Sequence, residues 1–444
     1  MRRWSVAVLL SLTVLTAAAA TMQAGAAKLS IAPQSAMWRT GYAGGDRPAQ
    51  AADSSLFARA LAIDDGAGNR VVILSVELLA VPRTLAERVA IALMKTYDLE
   101  RGQIVISATG THSAPFVQGL YPVRAPAGAI EQRAIAEYTD TVARALFDAA
   151  SAALTDMQPA RLSFTAGQSA FAATVPLSGA AGAEKPDKPG NPRVPVLRVT
   201  ARDGRLLATV FGYARRNAAL DGSSCAPGDD YAGLAAAAIE GDVPGSVALF
   251  LQLCDDGQPP VLRGSTDTAP HPGATLAKEV EHALRSPMQP VTGRLRASLM
   301  ETSLPFAPHT REQFEVEARS PDPVIARHGR MILAAYEARL EPRQLPYPVQ
   351  VIRCGKSFAL IALGGELDAA YAPKIRARVA RQNLLIADGS NDGGYVVPVS
   401  EGQGSANADV AASIVDSGLP CAFTGEAEER ILNAVERAWK RLGK

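Results

Sequence analysis

Apolar runs typical of β-strands alternate with helical patterns along the first part of the chain. Strand-type segments at Ala58–Ile63 and Val71–Val76 flank the turn-forming stretch DDGAGN, which predicts a β-hairpin. A helical pattern follows from Thr84 to Tyr97, and Thr84 and Glu87 are spaced as a capping box. The β-branched run IVISATG and a long helical pattern from Ile130 to Leu154 come next.

The same alternation continues to the end of the chain. The stretch VPVLRVTARDGRLLATVFGYA predicts a second hairpin with Asp203-Gly204 at its turn. Helices are predicted near Tyr231–Glu240 and Ala274–Leu284, with the strand SVALFLQL between them, and SFALIALGGE predicts a later strand. The pattern favours an α/β fold with mixed β-sheets covered by helices, and polar residues repeatedly follow the strands. Strand ends are where such folds place their sites.

The N-terminus has the features of a targeting segment. Arg2 and Arg3 precede an apolar run from Val6 to Ala20, and Ala24-Gly25-Ala26 has the small residues of a cleavage site. This arrangement predicts a signal peptide over residues 1–26, with an uncleaved anchor as the alternative. No other long apolar run occurs, so we expect an exported protein, periplasmic or extracellular, without an integral membrane segment after cleavage.

Charge narrows the classes of partner. The 444 residues include 45 basic and 44 acidic side chains, a formal net charge of +1. A chain with so little net charge has no strong positive potential that would bind nucleic acid, so a small molecule or a lipid is the expected ligand. The sequence specifies no oligomeric state.

The predicted export affects the expected redox state of the four cysteines. An even number in an oxidising compartment favours two disulfides, and the absence of a C-x-x-C pair argues against a structural zinc cluster. Pairing by proximity along the chain would join Cys225 to Cys254 and Cys354 to Cys421. Buried free thiols are the alternative.

Several segments, in order, resemble the catalytic domain of the neutral/alkaline non-lysosomal ceramidase family over residues 28–444. They read LFARALAIDDGAGNRVVILSVELL, IVISATGTHSAP, RDGRLLATVFGYARRNA, VALFLQLCDDGQPP, IALGGELDAAYAPKIR and NDGGYVVP. The resemblance implies a hydrolase that cleaves the amide bond of ceramide-like N-acyl lipids. It also implies one zinc ion held by two histidines, a glutamate and a tyrosine, since these donors suit Zn²⁺.

Only some of the zinc ligands that the resemblance implies are present in this sequence. Glu366 and Tyr395 occupy the glutamate and tyrosine positions, and His112 is the second histidine of the family's Thr-His-Thr-His-Ser segment. Gly110 and Arg216 stand where two histidine ligands are expected. A guanidinium cannot bind zinc and would repel it, so the resemblance implies a metal site of His112, Glu366 and Tyr395 that is incomplete.

Other candidate residues follow from the same segments. Beside His112 and Arg216, the catalytic candidates are Ser113 of the THS loop and Asp256 of the altered nucleophile loop QLCDDGQPP, which lacks the family's serine. Arg47, in the segment AGGDRPAQAADS, and Tyr231 are candidate substrate contacts. For His112 the other interpretation is a hydrogen-bonded loop histidine without chemistry.

Two functions are consistent with this pattern. The first is an exported amidohydrolase with a reworked site. The second is a catalytically inactive relative that binds a lipid, a glycan or a partner protein. In both, we expect His112, Arg216, Glu366 and Tyr395 to converge on one cavity, with Arg216 paired to Glu366, because each follows a strand whose counterpart in the family supplies a ligand to the same ion.

Overall fold

The computed structural model describes residues 21–40, 55–167, 193–214, 231–254, 272–379, 383–400 and 408–443. Nine strands form the larger sheet: β1 (Gln23–Ser30), β2 (Phe57–Asp64), β3 (Arg70–Val76), β4 (Ile104–Ala108), β5 (Gln158–Thr165), β6 (Val196–Ala201), β7 (Leu206–Tyr213), β8 (Val247–Gln252) and β9 (Gln289–Val291). Their order is β4-β3-β2-β1-β5-β6-β7-β8, with β9 beside β5. The pairs β3–β4 and β7–β8 are parallel, whereas the other pairs are antiparallel.

A second sheet comes from the last third of the chain. Its strands, in spatial order, are β10 (Leu295–Pro305), β11 (Gln344–Cys354), β12 (Phe358–Leu363) and β14 (Leu384–Ala387). The pair β12–β14 is parallel. Two short strands, β13 (Glu366–Leu367) and β15 (Val396–Val397), pair in parallel beside it.

Helices cover the outer faces of the sheets. They are α1 (Arg83–Tyr97), α2 (Ala129–Thr155), α3 (Tyr231–Asp242), α4 (Pro272–Arg285), α5 (Arg311–Glu317), α6 (Pro323–Glu337), α7 (Tyr371–Val379), α8 (Ala408–Ser417) and α9 (Glu426–Arg441). Among the described residues, none of these helices is both long and apolar enough to cross a membrane.

Four apolar cores hold the layers together. One lies between α1, α2 and strands β2–β4, a second between α3, α4 and strands β6–β8, and a third between α7, α9 and the second sheet. The fourth is central and joins the two sheets through buried residues such as Leu61, Val105, Leu249 and Leu360. This central core fixes the two sheets relative to each other, and so it fixes the strand ends that border the site.

The predicted elements agree with the structure, apart from one helix cap. Both hairpins form, and the α/β class with mixed sheets covered by helices is confirmed. The capping box is wrong: α1 begins one residue earlier, after Pro82, and has no side-chain cap. Glu87 instead pairs with Arg101 at 2.9 Å between Oε1 and Nε.

The pairing of Cys354 with Cys421 is wrong. Cys354 pairs with Leu295 at the first residue of β10, and its thiol donates to the Gly293 carbonyl. Cys421 donates to the carbonyl of Ala307, beyond the other end of β10. An 11-residue strand spans about 30 Å, whereas a disulfide needs Cα atoms about 4–7 Å apart.

Both of these thiols are free, and burial raises the pKa of Cys354 to about 12 and that of Cys421 to about 11. Closeness along the sequence failed as a guide here because a long strand separates the two positions. Cys225 lies outside the described residues, so its pairing with Cys254 stays a prediction.

Candidate functional site

The carboxyl ends of strands from both sheets meet at one edge. The Asn391 amide donates to Ile106 of β4 at 2.7 Å, and the Asp388 amide donates to Gln252 of β8 at 3.2 Å. An isolated bridge joins Leu253 to Ala387, so the end of β8 lies beside the end of β14. The chain therefore brings the loops after β4, β8 and β14 together, as the rule for strand ends predicts.

A cavity of about 210 Å³ opens at this edge. Four of the positions singled out in the sequence, Gly110, His112, Glu366 and Tyr395, line it. The remaining lining residues are Leu79, Ala80, Ala108, Tyr121, Gln252, Gly365, Gly389, Gly394, Val396, Ala412, Ser413 and Asp416. The lining combines apolar side chains with an imidazole, two carboxylates, two phenols, a hydroxyl and an amide.

Gly110 has a backbone conformation that explains the residue type. Its φ is +78°, a left-handed value that other residues adopt at a cost of roughly 1–2 kcal/mol. Its amide donates to the carbonyl of Leu78 at 3.0 Å, which folds the loop back over the end of β3. The position where the family resemblance places a metal-binding histidine is thus a tight turn in this chain.

Glu366 and Tyr395 are held together by the two short parallel strands. The Glu366 amide donates to the Tyr395 carbonyl at 2.8 Å, and Glu366 is in register with Val396. Glu366 is half-buried, whereas Tyr395 is only 4% exposed. The backbone pairing therefore places Glu366 and Tyr395 next to each other in the cavity wall.

Two glycines pack against the Tyr395 ring. A β-carbon at Gly364 would lie 3.0 Å from the Tyr395 hydroxyl, and one at Gly365 would lie 2.6 Å from its Cε2. Gly365 also has φ +61°. Real β-carbons do not approach an aromatic carbon so closely, so the ring position depends on the absence of side chains here.

Gly365→Ala is expected to displace Tyr395 and to lower any activity of the cavity by at least tenfold. The added methyl group overlaps the ring, and a misplacement of about 1 Å can cost about 100-fold in rate. Turnover and near-ultraviolet circular dichroism of the variant would measure this. Gly204→Ala is the matched control, because Gly204 also has a positive φ but meets no atom within 4 Å of an added β-carbon. Equal effects of the two changes would contradict the prediction.

A chain of charged groups lies behind Tyr395. Its hydroxyl is 3.5 Å from Oδ2 of Asp392, which accepts from Arg83 Nε at 3.1 Å. Arg83 also donates to Glu301 at 2.6 Å. Burial raises the pKa of Asp392 to about 6, although Arg83 opposes the shift. Burial and the Asp392 charge raise the pKa of Tyr395 well above its ordinary value, so its phenol is neutral and can donate a hydrogen bond.

The outer wall of the cavity comes from parts of the chain far apart in sequence. Tyr121 belongs to the loop after β4, and Ser413 and Asp416 belong to α8. Arg124 of that loop donates to Asp416 at 2.5 Å. The ion pair joins the two halves of the outer wall directly.

Helix α6 holds both halves of this wall from behind. Arg327 donates to the carbonyls of Val123 and Ala125 at 3.1 and 2.6 Å. His328 contacts the Leu419 carbonyl at 2.7 Å through Nε2 and Glu317 at 2.7 Å through Nδ1. The helix therefore fixes the loop after β4 and the end of α8 relative to each other.

Two of the remaining candidate residues, Ser113 and Tyr231, do not line the cavity. Ser113 is fully buried and does not line the cavity, and its hydroxyl has no hydrogen-bond partner among the described residues. Tyr231 lies in the core, with its ring edge-on to Phe250 at 5.8 Å. Arg47, Arg216 and Asp256 lie outside the described residues, so their roles stay predictions.

Sequence reasoning did not single out Tyr121, Ser413 or Asp416. Tyr121 follows the THSAP loop by a few residues and has φ +47°, a conformation that the local sequence does not predict. The other two lie on a helix whose sequence, ADVAASIVDS, carries no motif. Only the three-dimensional path of the chain brings this helix to the end of β4.

Comparison with solved structures shows which known fold this architecture resembles. A crystal structure of neutral ceramidase from Pseudomonas aeruginosa superimposes with a TM-score of 0.70 and 16% sequence identity, covering 95% of this chain and 75% of that one. The fold resembles that of neutral ceramidases. A ceramidase in complex with C2 matches similarly, with a TM-score of 0.71, 16% identity, and coverage of 94% and 75%. No family model matches the sequence, and no curated protein matches it.

The described residues of the cavity supply fewer donors than the four-ligand zinc site that the resemblance implies. Within the part of the chain that the structure describes, no group of three or more His, Cys, Asp or Glu side chains is placed to hold a metal. His112, Glu366 and Tyr395 supply three types of donor, but the tight turn at Gly110 supplies no side chain. A four-ligand zinc site would therefore need a donor from outside the described residues.

Proposed function

We propose that this protein is a ceramidase-like hydrolase that cleaves N-acyl amides, with ceramide-like lipids as the substrate class. The observation that carries the proposal is the convergence of His112, Glu366 and Tyr395 on one cavity within a ceramidase-like fold. These residues come from three separate segments of the sequence, and the fold brings them together.

The side chains in the cavity have the chemistry that amide cleavage needs. An attacking water must lose a proton, the leaving amine must gain one, and the tetrahedral oxyanion must be stabilised. The imidazole of His112 and the half-buried carboxylate of Glu366 are suited to proton transfer. The neutral phenol of Tyr395 would donate a hydrogen bond to the oxyanion after turning from its long, 3.5 Å contact with Asp392.

We also propose that the reaction does not depend on stoichiometric zinc. Gly110 contributes no ligand, and the residue that replaces the other expected histidine, Arg216, is a cation. A guanidinium next to Glu366 would supply the positive charge that a metal otherwise brings. The exported location and the Arg216–Glu366 pair remain parts of this proposal.

Incubation of the purified protein with a fluorescent N-acyl sphingoid base, with and without a chelator, tests both proposals. We expect release of the fatty acid that the chelator leaves unchanged, and zinc well below one atom per chain by elemental mass spectrometry. Chelator-sensitive release with stoichiometric zinc would overturn the metal-independent mechanism and leave the hydrolase. Saturable binding of the probe without release would instead favour the inactive, lipid-binding relative.

A further inference from the structure

The first residues of β1 connect the two halves of the large sheet. The pairing of β1 with β5 consists of Gln23 with Pro159 and Ala24 with Gln158. The amide of Ala160 adds a hydrogen bond to the Met22 carbonyl at 2.8 Å. All the described contacts of this ladder therefore involve residues 22–24, and the sheet order β2-β1-β5 depends on them.

The same residues are part of the packed core. Ala24 is fully buried in the central core, and Gln23–Ala26 pair in register with Asp64–Leu61 of β2. A β-carbon at Gly25 would lie 2.1 Å from the carbonyl oxygen of Ala153, so β1 packs directly on the backbone of α2. Only glycine allows this approach.

Cleavage directly after Ala26 would remove all of these contacts. It would delete half of β1, leave the last part of β2 without a partner on the β1 side, and separate β1 from β5. Unpaired backbone groups in a buried sheet cost free energy comparable to lost hydrogen bonds. Ala24-Gly25-Ala26 therefore resembles a cleavage motif for a structural reason: Gly25 packs against α2, while Ala24 and Ala26 pack against the central core.

We infer that the signal peptide is cleaved at the end of the alanine run Ala17–Ala20, so that the mature chain begins at Ala20 or Thr21. The run follows directly on the apolar segment and offers small residues at the first and third positions before the cut, as signal peptidases require. A cut there leaves Met22 and all of β1 in the mature protein. The inference rests on the predicted export and is independent of the proposed enzymatic function.

Expression of the full chain with its own leader, in a bacterial host with signal peptidase, tests the inference. The exported protein, carrying a C-terminal tag, is purified, and its N-terminus is read by Edman sequencing and intact mass. We expect Ala20 or Thr21 as the first residue. A chain beginning at Ala27, or an unprocessed chain beginning at Met1, would overturn the inference.

Two variants separate the competing cleavage sites. The double substitution Ala19→Phe and Ala20→Phe is expected to leave the precursor uncut, because both cuts at the end of the run would then follow a bulky residue. The matched control, Ala26→Val, blocks a cut after residue 26 while suiting a half-buried strand position. We expect normal processing of this control, and accumulation of its precursor would count against the inference.

Discussion

Replacing Arg59 with leucine is expected to destabilise the protein by about 3–5 kcal/mol, because it removes a buried counter-charge that two buried carboxylates share. Arg59 lies on β2 with its side chain 2% exposed, and it donates to Glu77 after β3 and to Glu240 of α3. Glu77 also accepts from the Phe57 amide, and Glu240 accepts from Lys28. This charged cluster ties α3 to three strands of the large sheet.

The unfolding free energy in urea would measure the effect. Arg88→Leu is the matched control, since Arg88 pairs with Asp140 on the surface, where both side chains are about half exposed. An exposed pair contributes about 0–1 kcal/mol. A loss for Arg59→Leu no larger than that of the control would show that the buried cluster does not stabilise the fold.

The cluster also predicts how stability changes with pH. Burial alone would raise the pKa of Glu240, but hydrogen bonds and charge from Arg59, with Lys28, lower it below its ordinary value. A carboxyl group with a lowered pKa in the folded state stabilises the protein at neutral pH. That contribution is lost as the pH falls through the pKa of the folded state. The pH dependence of the unfolding free energy should be weaker in Arg59→Leu.

The strand ends that carry Gly110, His112, Glu366 and Tyr395 could be predicted because local patterns define them. Each lies directly after a strand-type run or a glycine pair, and the carboxyl ends of strands meet by the geometry of the fold. The convergence of the three side chains on one cavity follows from this geometry together with the resemblance. Their chemistry stays a proposal.

Other features depend on contacts that no local pattern encodes. The segment QAGAA has small residues because α2 and the central core lie against it, yet the same residues resemble a cleavage site. Helix α8 is held at the cavity by an ion pair with Arg124, and α6 supports the loop that carries Arg124; both lie far from α8 in the sequence. Cys354 and Cys421 are kept apart by the length of β10, which no spacing of cysteines reveals.

Glu366→Gln is expected to lower the hydrolysis of N-acyl amides by about 100- to 10,000-fold, the range in which a positioned acid or base contributes. Glutamine keeps the size and the backbone pairing with Tyr395, so the cavity should persist while proton transfer is lost. The loss should fall on kcat, with KM within a few-fold of the original, because the carboxylate acts in the transition state.

Glu429→Gln provides the control for this experiment. Glu429 lies on α9, is 60% exposed and pairs with Arg378, away from the cavity. Its replacement should leave kcat unchanged.

If Glu366→Gln retained most of the activity while remaining folded, the carboxylate would not transfer a proton, and the chemistry would have to reside in His112 and Tyr395 alone. If it raised KM and left kcat unchanged, Glu366 would bind the substrate without taking part in the reaction. The division between kcat and KM thus decides whether Glu366 acts in the reaction or only in binding the substrate.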